Sequence, residues 1–164
     1  MGPVIRLDAL TLKPHGHGDA FQAEMASLAA PAGATHLGAR LMRVSPGKKA
    51  WPFHAHHAND EMFVVLSGSG TLRFGESRHA FAAGDVLMCP AGGKETAHQI
   101  LNTGEEDLTY IAISSMREPD VMEYPDSGKW GVFAGSPPGA KASDRTFAHF
   151  VSADAEVDYW EGES

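Results

Sequence analysis

The segment Phe53-His54-Ala55-His56-His57-Ala58-Asn59-Asp60-Glu61-Met62-Phe63 holds the residues best able to do chemistry. On an extended strand, residues i and i+2 share a face and lie roughly 6.5–7 Å apart. His54 and His56 are therefore expected to aim their imidazoles at one point, with His57 facing the other way. Glu61 follows a short turn and opens the next apolar run, which puts it beside that pair. Two imidazoles and a carboxylate suit a divalent Mn, Fe, Co, Ni, Cu or Zn ion. The same residues admit a plainer reading, an exposed histidine-rich loop followed by a solvated Asp60-Glu61 turn.

The elements that must position these side chains read as short strands. Residues 39–44 look like a strand entering the core, and residues 62–66 form a fully apolar one. Residues 71–74 alternate with period two, and 79–81, 86–89, 98–101 and 108–114 complete a series of hairpins broken by Gly, Pro and Asn turns. Before this run, residues 14–18 read as loop and 21–30 as a short helix. After it, residues 116–164 contain Pro119, Pro125, Pro137 and Pro138 and few long apolar runs, as expected of a segment wrapping the domain. Patches at 146–151 and 157–160 are candidate added strands or docking segments. The expected organisation is an N-terminal extension (1–38), a β-barrel (39–115) and a C-terminal wrap (116–164), one domain in all.

Composition narrows the partners. The 164 residues carry a formal charge of −8, with 43% hydrophobic and 21% charged residues. That balance argues against nucleic acid and anionic membrane surfaces, which call for a basic face, and leaves room for a local basic pocket. One cysteine, Cys89, permits no intramolecular disulfide. Arg6 and Asp8 interrupt the apolar start that a signal peptide would need, and no stretch approaches the roughly 20 apolar residues of a membrane span. A cytoplasmic location is the expectation.

Two wider patterns carry a family resemblance. Gly47, His54-x-His56, four residues, Glu61, six residues and Gly68 resemble the first cupin motif, with one extra residue between Gly47 and His54. Gly84, five residues, Pro90-Ala91-Gly92, His98, three residues and Asn102 resemble the second, with an insertion between Gly92 and His98. The resemblance covers roughly residues 39–115. It implies an all-β, double-stranded β-helix (jelly-roll) barrel, with His98 as a fourth metal ligand beside His54, His56 and Glu61, and a homodimer as the common assembly. Residues 123–129 are similar to a stretch that follows the barrel in small bacterial cupins labelled sugar-phosphate isomerases. There Asp126 or Lys129 would sit at a pocket rim, or the segment is simply a turn anchoring the wrap.

Three imidazoles and one carboxylate leave about two positions open on a six-coordinate ion, which suits a site that accepts a ligand. Phe63 and Val65 share the Glu61 face and are expected to line a pocket with Arg40, Met42, Gln99 and Tyr110. Met62, Val64 and Leu66 lie on the opposite, equally apolar face, which then needs cover from the extensions or a second subunit. Arg40 would suit an anionic ligand. His15 and His17 read as loop, His36, His79 and His149 have no partner pattern, and Cys89 reads as an inert buried thiol. Glu95, in the inserted loop, is a candidate general base by location alone. The leading expectation is an enzyme using one Mn, Fe, Zn, Ni or Co ion as Lewis acid on a small sugar-like or carboxylate ligand. The alternatives are an Fe(II) dioxygenase and a non-enzymatic small-molecule-binding or sensory domain.

Overall fold

A computed structural model describes residues 2–163. Thirteen strands follow in chain order: β1 (Lys13–His17), β2 (Phe21–Ser27), β3 (Leu37–Val44), β4 (Ala55–His56), β5 (Glu61–Ser67), β6 (Ser69–Phe74), β7 (Ser77–Ala82), β8 (Val86–Cys89), β9 (His98–Leu101), β10 (Leu108–Ser115), β11 (Asp120–Tyr124), β12 (Lys129–Ala134) and β13 (Phe147–Ser152). Short 3-10 turns are the only helical elements among the described residues, and no helix is long and apolar enough to cross a membrane.

Two layers face each other across the core. One is a six-stranded antiparallel sheet in the order β1-β2-β3-β10-β5-β8. The other is built from β7-β6-β9 and β13-β12-β11-β4, joined where His54 bridges His98 across the gap between β4 and β9. Met42, Val44, Phe63, Val65, Leu108 and Tyr110 from the first layer meet Leu72, Phe81 and Ile100 from the second. The result is the jelly-roll barrel. Gly68 makes the β5–β6 turn at φ +81°, and a Cβ there would lie 2.7 Å from the Asp107 carbonyl, so only glycine closes this hairpin.

Two sequence expectations for the N-terminal part are corrected. Residues 21–30 do not form a helix, because Phe21, Ala23 and Met25 alternate with Gln22 and Glu24, and that period places Ala23 and Met25 opposite Val44 and Met42 on β3. The predicted loop at 14–18 is instead largely β1, paired with β2 from Lys13↔Met25 to His17↔Phe21. In the C-terminal part, β13 takes in all but the first residue of the patch at 146–151, whereas 157–160 forms no strand and exposes Val157, Tyr159 and Trp160.

The outward face of the large sheet is apolar and partly open. Met62 pairs with Met88 and Val64 with Val86, while Ile113 and Ile111 continue the same rows across β10. Val86 and Met88 are 53% and 58% exposed, and Leu66 is 41% exposed. Neither extension covers them. Cys89 lies on the opposite, inward face, where burial and the nearby Glu61 push its thiol up to about 12 and keep it unreactive.

Candidate metal centre

Four side chains from three strands and their approaches converge at one end of the barrel. His54 precedes β4 and is locked to His98 by reciprocal backbone hydrogen bonds of 3.2 and 2.8 Å. His56 lies on β4, Glu61 opens β5 and His98 opens β9. Glu61 Oε2 is 2.8 Å from His98 Nε2, 3.8 Å from His56 Nε2 and 3.9 Å from His54 Nε2. His54, Glu61 and His98 each place one donor atom within 4.8 Å of the others, a possible metal site that His56 flanks through Glu61. His57 points away, as strand parity requires, with its Nε2 3.7 Å from Glu123.

Whether this set fits a metal ion is decided by the far side of each ring. His54 Nδ1 lies 2.7 Å from the Pro52 carbonyl, His56 Nδ1 2.6 Å from Asp120 Oδ2, and His98 Nδ1 3.3 Å from the Thr96 carbonyl. All three outer partners are acceptors; in the metal-free site His98 Nε2–H donates to Glu61 at 2.8 Å, and with an ion bound each Nδ1 would keep its proton and each Nε2 would turn a lone pair inward. Burial, then the neighbouring His98, lowers His54 to about 3. For Glu61 burial pushes upward, but the hydrogen bond from His98 and the surrounding imidazoles outweigh it and hold the carboxyl at about 2. A neutral imidazole beside an ionised carboxylate is the protonation state metal ligands need. The donor set fits a divalent ion.

This cluster forms the floor of a cavity of about 780 Å³. Arg40, Met42, Phe63, Gln99 and Tyr110 line it, whereas Val65 lies in the core outside the cavity wall. Burial, with Glu61 behind it, raises the Tyr110 hydroxyl, which therefore acts as a donor rather than a base. Glu95 is not among the lining residues; its Oε1 accepts a 2.9 Å hydrogen bond from the Gly93 amide and its carboxylate folds back on its own exposed loop. The 123–129 segment is the β11–β12 turn. Asp126 pairs with Arg73 at 2.7 and 2.8 Å, and Lys129 lies over Tyr124 and Phe150, so neither reaches the cavity.

Several contributors had no sequence signal. Asp120 is fully buried and holds both His56 Nδ1 and the Ala58 amide, yet it sits 64 residues from His56 in the chain. Trp51, His36 and the strap at 135–141 also line the cavity. His15 lies on β1 with its ring 4.1 Å from Trp51.

Comparison with known proteins identifies the family. The cupin domain family matches residues 40–114. The oxalate-binding protein of Thermotoga maritima is 31% identical over 117 residues, covering 68% of this chain and 93% of that protein. Auxin-binding protein 1 of Arabidopsis thaliana is 37% identical over 93 residues, which cover 52% of this chain and 46% of that relative, so the chain spans about half of it. A solved structure described as a sugar phosphate isomerase, from Acidithiobacillus ferrooxidans, superposes with a TM-score of 0.69 at 28% identity, covering 84% of this chain and 80% of that one.

Proposed function

We propose that this chain, which belongs to the cupin superfamily, is a mononuclear metal protein that takes a small oxygen-rich anion, carboxylate or sugar-like, into its cavity and activates it there. The observation that carries this reading is the outward hydrogen bonding of His54, His56 and His98, which leaves three Nε2 atoms and the Glu61 carboxylate converging on a cavity floor. A divalent ion bound there supplies Lewis-acid polarisation of the ligand's oxygen. The protein's own groups do the rest. Tyr110 donates to a ligand oxygen, Gln99 is fixed by its Nε2 bond to the Trp51 carbonyl at 2.8 Å, and Phe63 limits water beside the floor.

Tag-free protein, assayed by elemental mass spectrometry beside a His54→Ala/His56→Ala variant, tests the reading. About one equivalent of transition metal is expected in the wild type after reconstitution and little in the variant. Turnover without O₂ on manganese or zinc supports Lewis-acid chemistry, whereas O₂ consumption with iron replaces it with oxygenase chemistry. Wild-type protein that takes up no metal overturns the reading.

The open apolar face of β5 and β8 supports a homodimer. Its rows Val86–Val64–Ile111 and Met88–Met62–Ile113 carry no charge, and a contiguous uncharged patch on a sheet is what a twofold, self-complementary contact buries. Sedimentation is expected to give a dimer for the wild type and a folded monomer for Met88→Glu. A monomeric wild type would remove the dimer.

A further inference from the structure

Strand register fixes how the metal floor relates to Arg40. Glu61 on β5 lies opposite Ser114 on β10, which lies opposite Gly38 on β3. The next inward row runs Phe63, Ala112, Arg40, and the next Val65, Tyr110, Met42. Arg40 is thus two strands and one row away from Glu61, a Cα separation of roughly 12 Å from spacings of about 4.8 Å across and 6.7 Å along the strands. Between them the inward residues are Phe63, Ser114, Gly38 and Ala112. Ser114 and Ala112 are small and leave space along the cavity wall, Met116 packs over Gly38, and Phe63, Tyr110 and Met42 bound the chamber.

Arg40 is the one arginine that lines the cavity among the described residues. Arg6, Arg43 and Arg73, outside it, pair with Asp8, Glu24 and Asp126. The Arg40 guanidinium forms no ion pair among the described residues and donates to the Gly139 carbonyl of the strap, beside the Trp51 ring at 6.0 Å. Glu61, on the same cavity, is the acid whose charge acts on Arg40. A divalent ion held by Glu61 would offset that charge and leave positive charge at both ends of the chamber. Lys141, Glu118 and Asp144 line the same cavity but are exposed to solvent, whereas Arg40 is the half-buried cation on its wall.

The geometry points to a two-headed anion as the ligand: one oxygen-donor head on the metal floor, a second oxyanion head, carboxylate or phosphate, on Arg40, and a short spacer lying over Ser114 and Ala112. The inference rests on the metal-centre reading above and narrows it to a substrate class. The two heads are recognised separately, so the spacer length and the second charge decide affinity.

Calorimetric titration of the zinc-loaded protein with malonate, glutarate and adipate, beside butyrate and hexanoate as single-headed controls, tests this. 3-Phosphonopropionate distinguishes a phosphate-type from a carboxylate second head. At least one two-headed probe is expected to bind tenfold or more tighter than the single-headed acid of like length. Arg40→Met is expected to abolish that advantage while leaving zinc content and single-headed affinity unchanged, and Arg40→Lys to keep part of it. Equal affinity for one- and two-headed acids, or an equal loss of both in Arg40→Met, overturns the inference and leaves the metal centre standing. Absence of zinc binding overturns both.

Discussion

Replacing His98 by alanine is expected to lower divalent-metal affinity by more than about 100-fold, beyond the 10–100-fold that outer hydrogen-bonding partners of a ligand typically contribute. His98 makes the shortest contact with Glu61, 2.8 Å, and its ring is 4.9 Å from that of His54. Its removal takes away one donor and the group that holds the carboxylate in place. The backbone of residue 98 still pairs with His54, and β9 still pairs with β6, so the barrel itself is retained. The structural cost is the weakened compensation of a buried carboxylate, on the order of 1–3 kcal/mol. Competition with a chelator, read beside circular dichroism, checks both halves. Unchanged metal affinity in a folded variant removes His98 from the ligand set.

The sequence reading reached the four convergent residues because their signal is local or motif-like. Strand parity places His54 and His56 on one face and His57 on the other, and Glu61 opens an apolar strand whose inward residues Phe63 and Val65 are both buried. The central hairpins were readable for the same reason, since period two survives wherever one face meets a core. The helix expected over residues 21–30 fails because its alanines mask a period of two that pairing with β3 makes decisive. Only its face recommends Val65 for the pocket. The face is right, and Val65 shares a row with Tyr110 and Met42, but unlike them it packs in the core away from the cavity wall. Glu95 was chosen by its place in an inserted loop, and a backbone amide two residues away claims its carboxylate. The strap over the cavity was not legible, since Gly135 to Lys141 meets Arg40 only through a tertiary contact spanning 99 residues.

Asp120 shows where such reading stops and gives the second large effect. A single acid after a proline has no pattern, and only the pairing of β11 with β4, Met122↔His56 and Glu123↔Ala55, carries it to the site. There its two oxygens do different things: Oδ2 accepts from His56 Nδ1 at 2.6 Å, and Oδ1 from the Ala58 amide at 3.0 Å. The first bond fixes which His56 nitrogen is free to face the cavity; the second holds the chain between His56 and Glu61. Asp120→Ala is therefore expected to weaken metal binding by roughly 10–100-fold and to destabilise the fold by about 1–3 kcal/mol, since the part-buried Ala58 amide and the buried His56 Nδ1 lose their acceptor. Asp120→Asn keeps one acceptor oxygen and should fall between the two. Urea unfolding gives the stability cost, chelator competition gives the affinity, and nitrogen NMR of the imidazoles reports the His56 tautomer. In Asp120→Ala the Nδ1–H form should lose its dominance together with the affinity. Stability lost while affinity and tautomer both persist would make Asp120 a support for the β4 turn alone, leaving His56 to be oriented by its own strand.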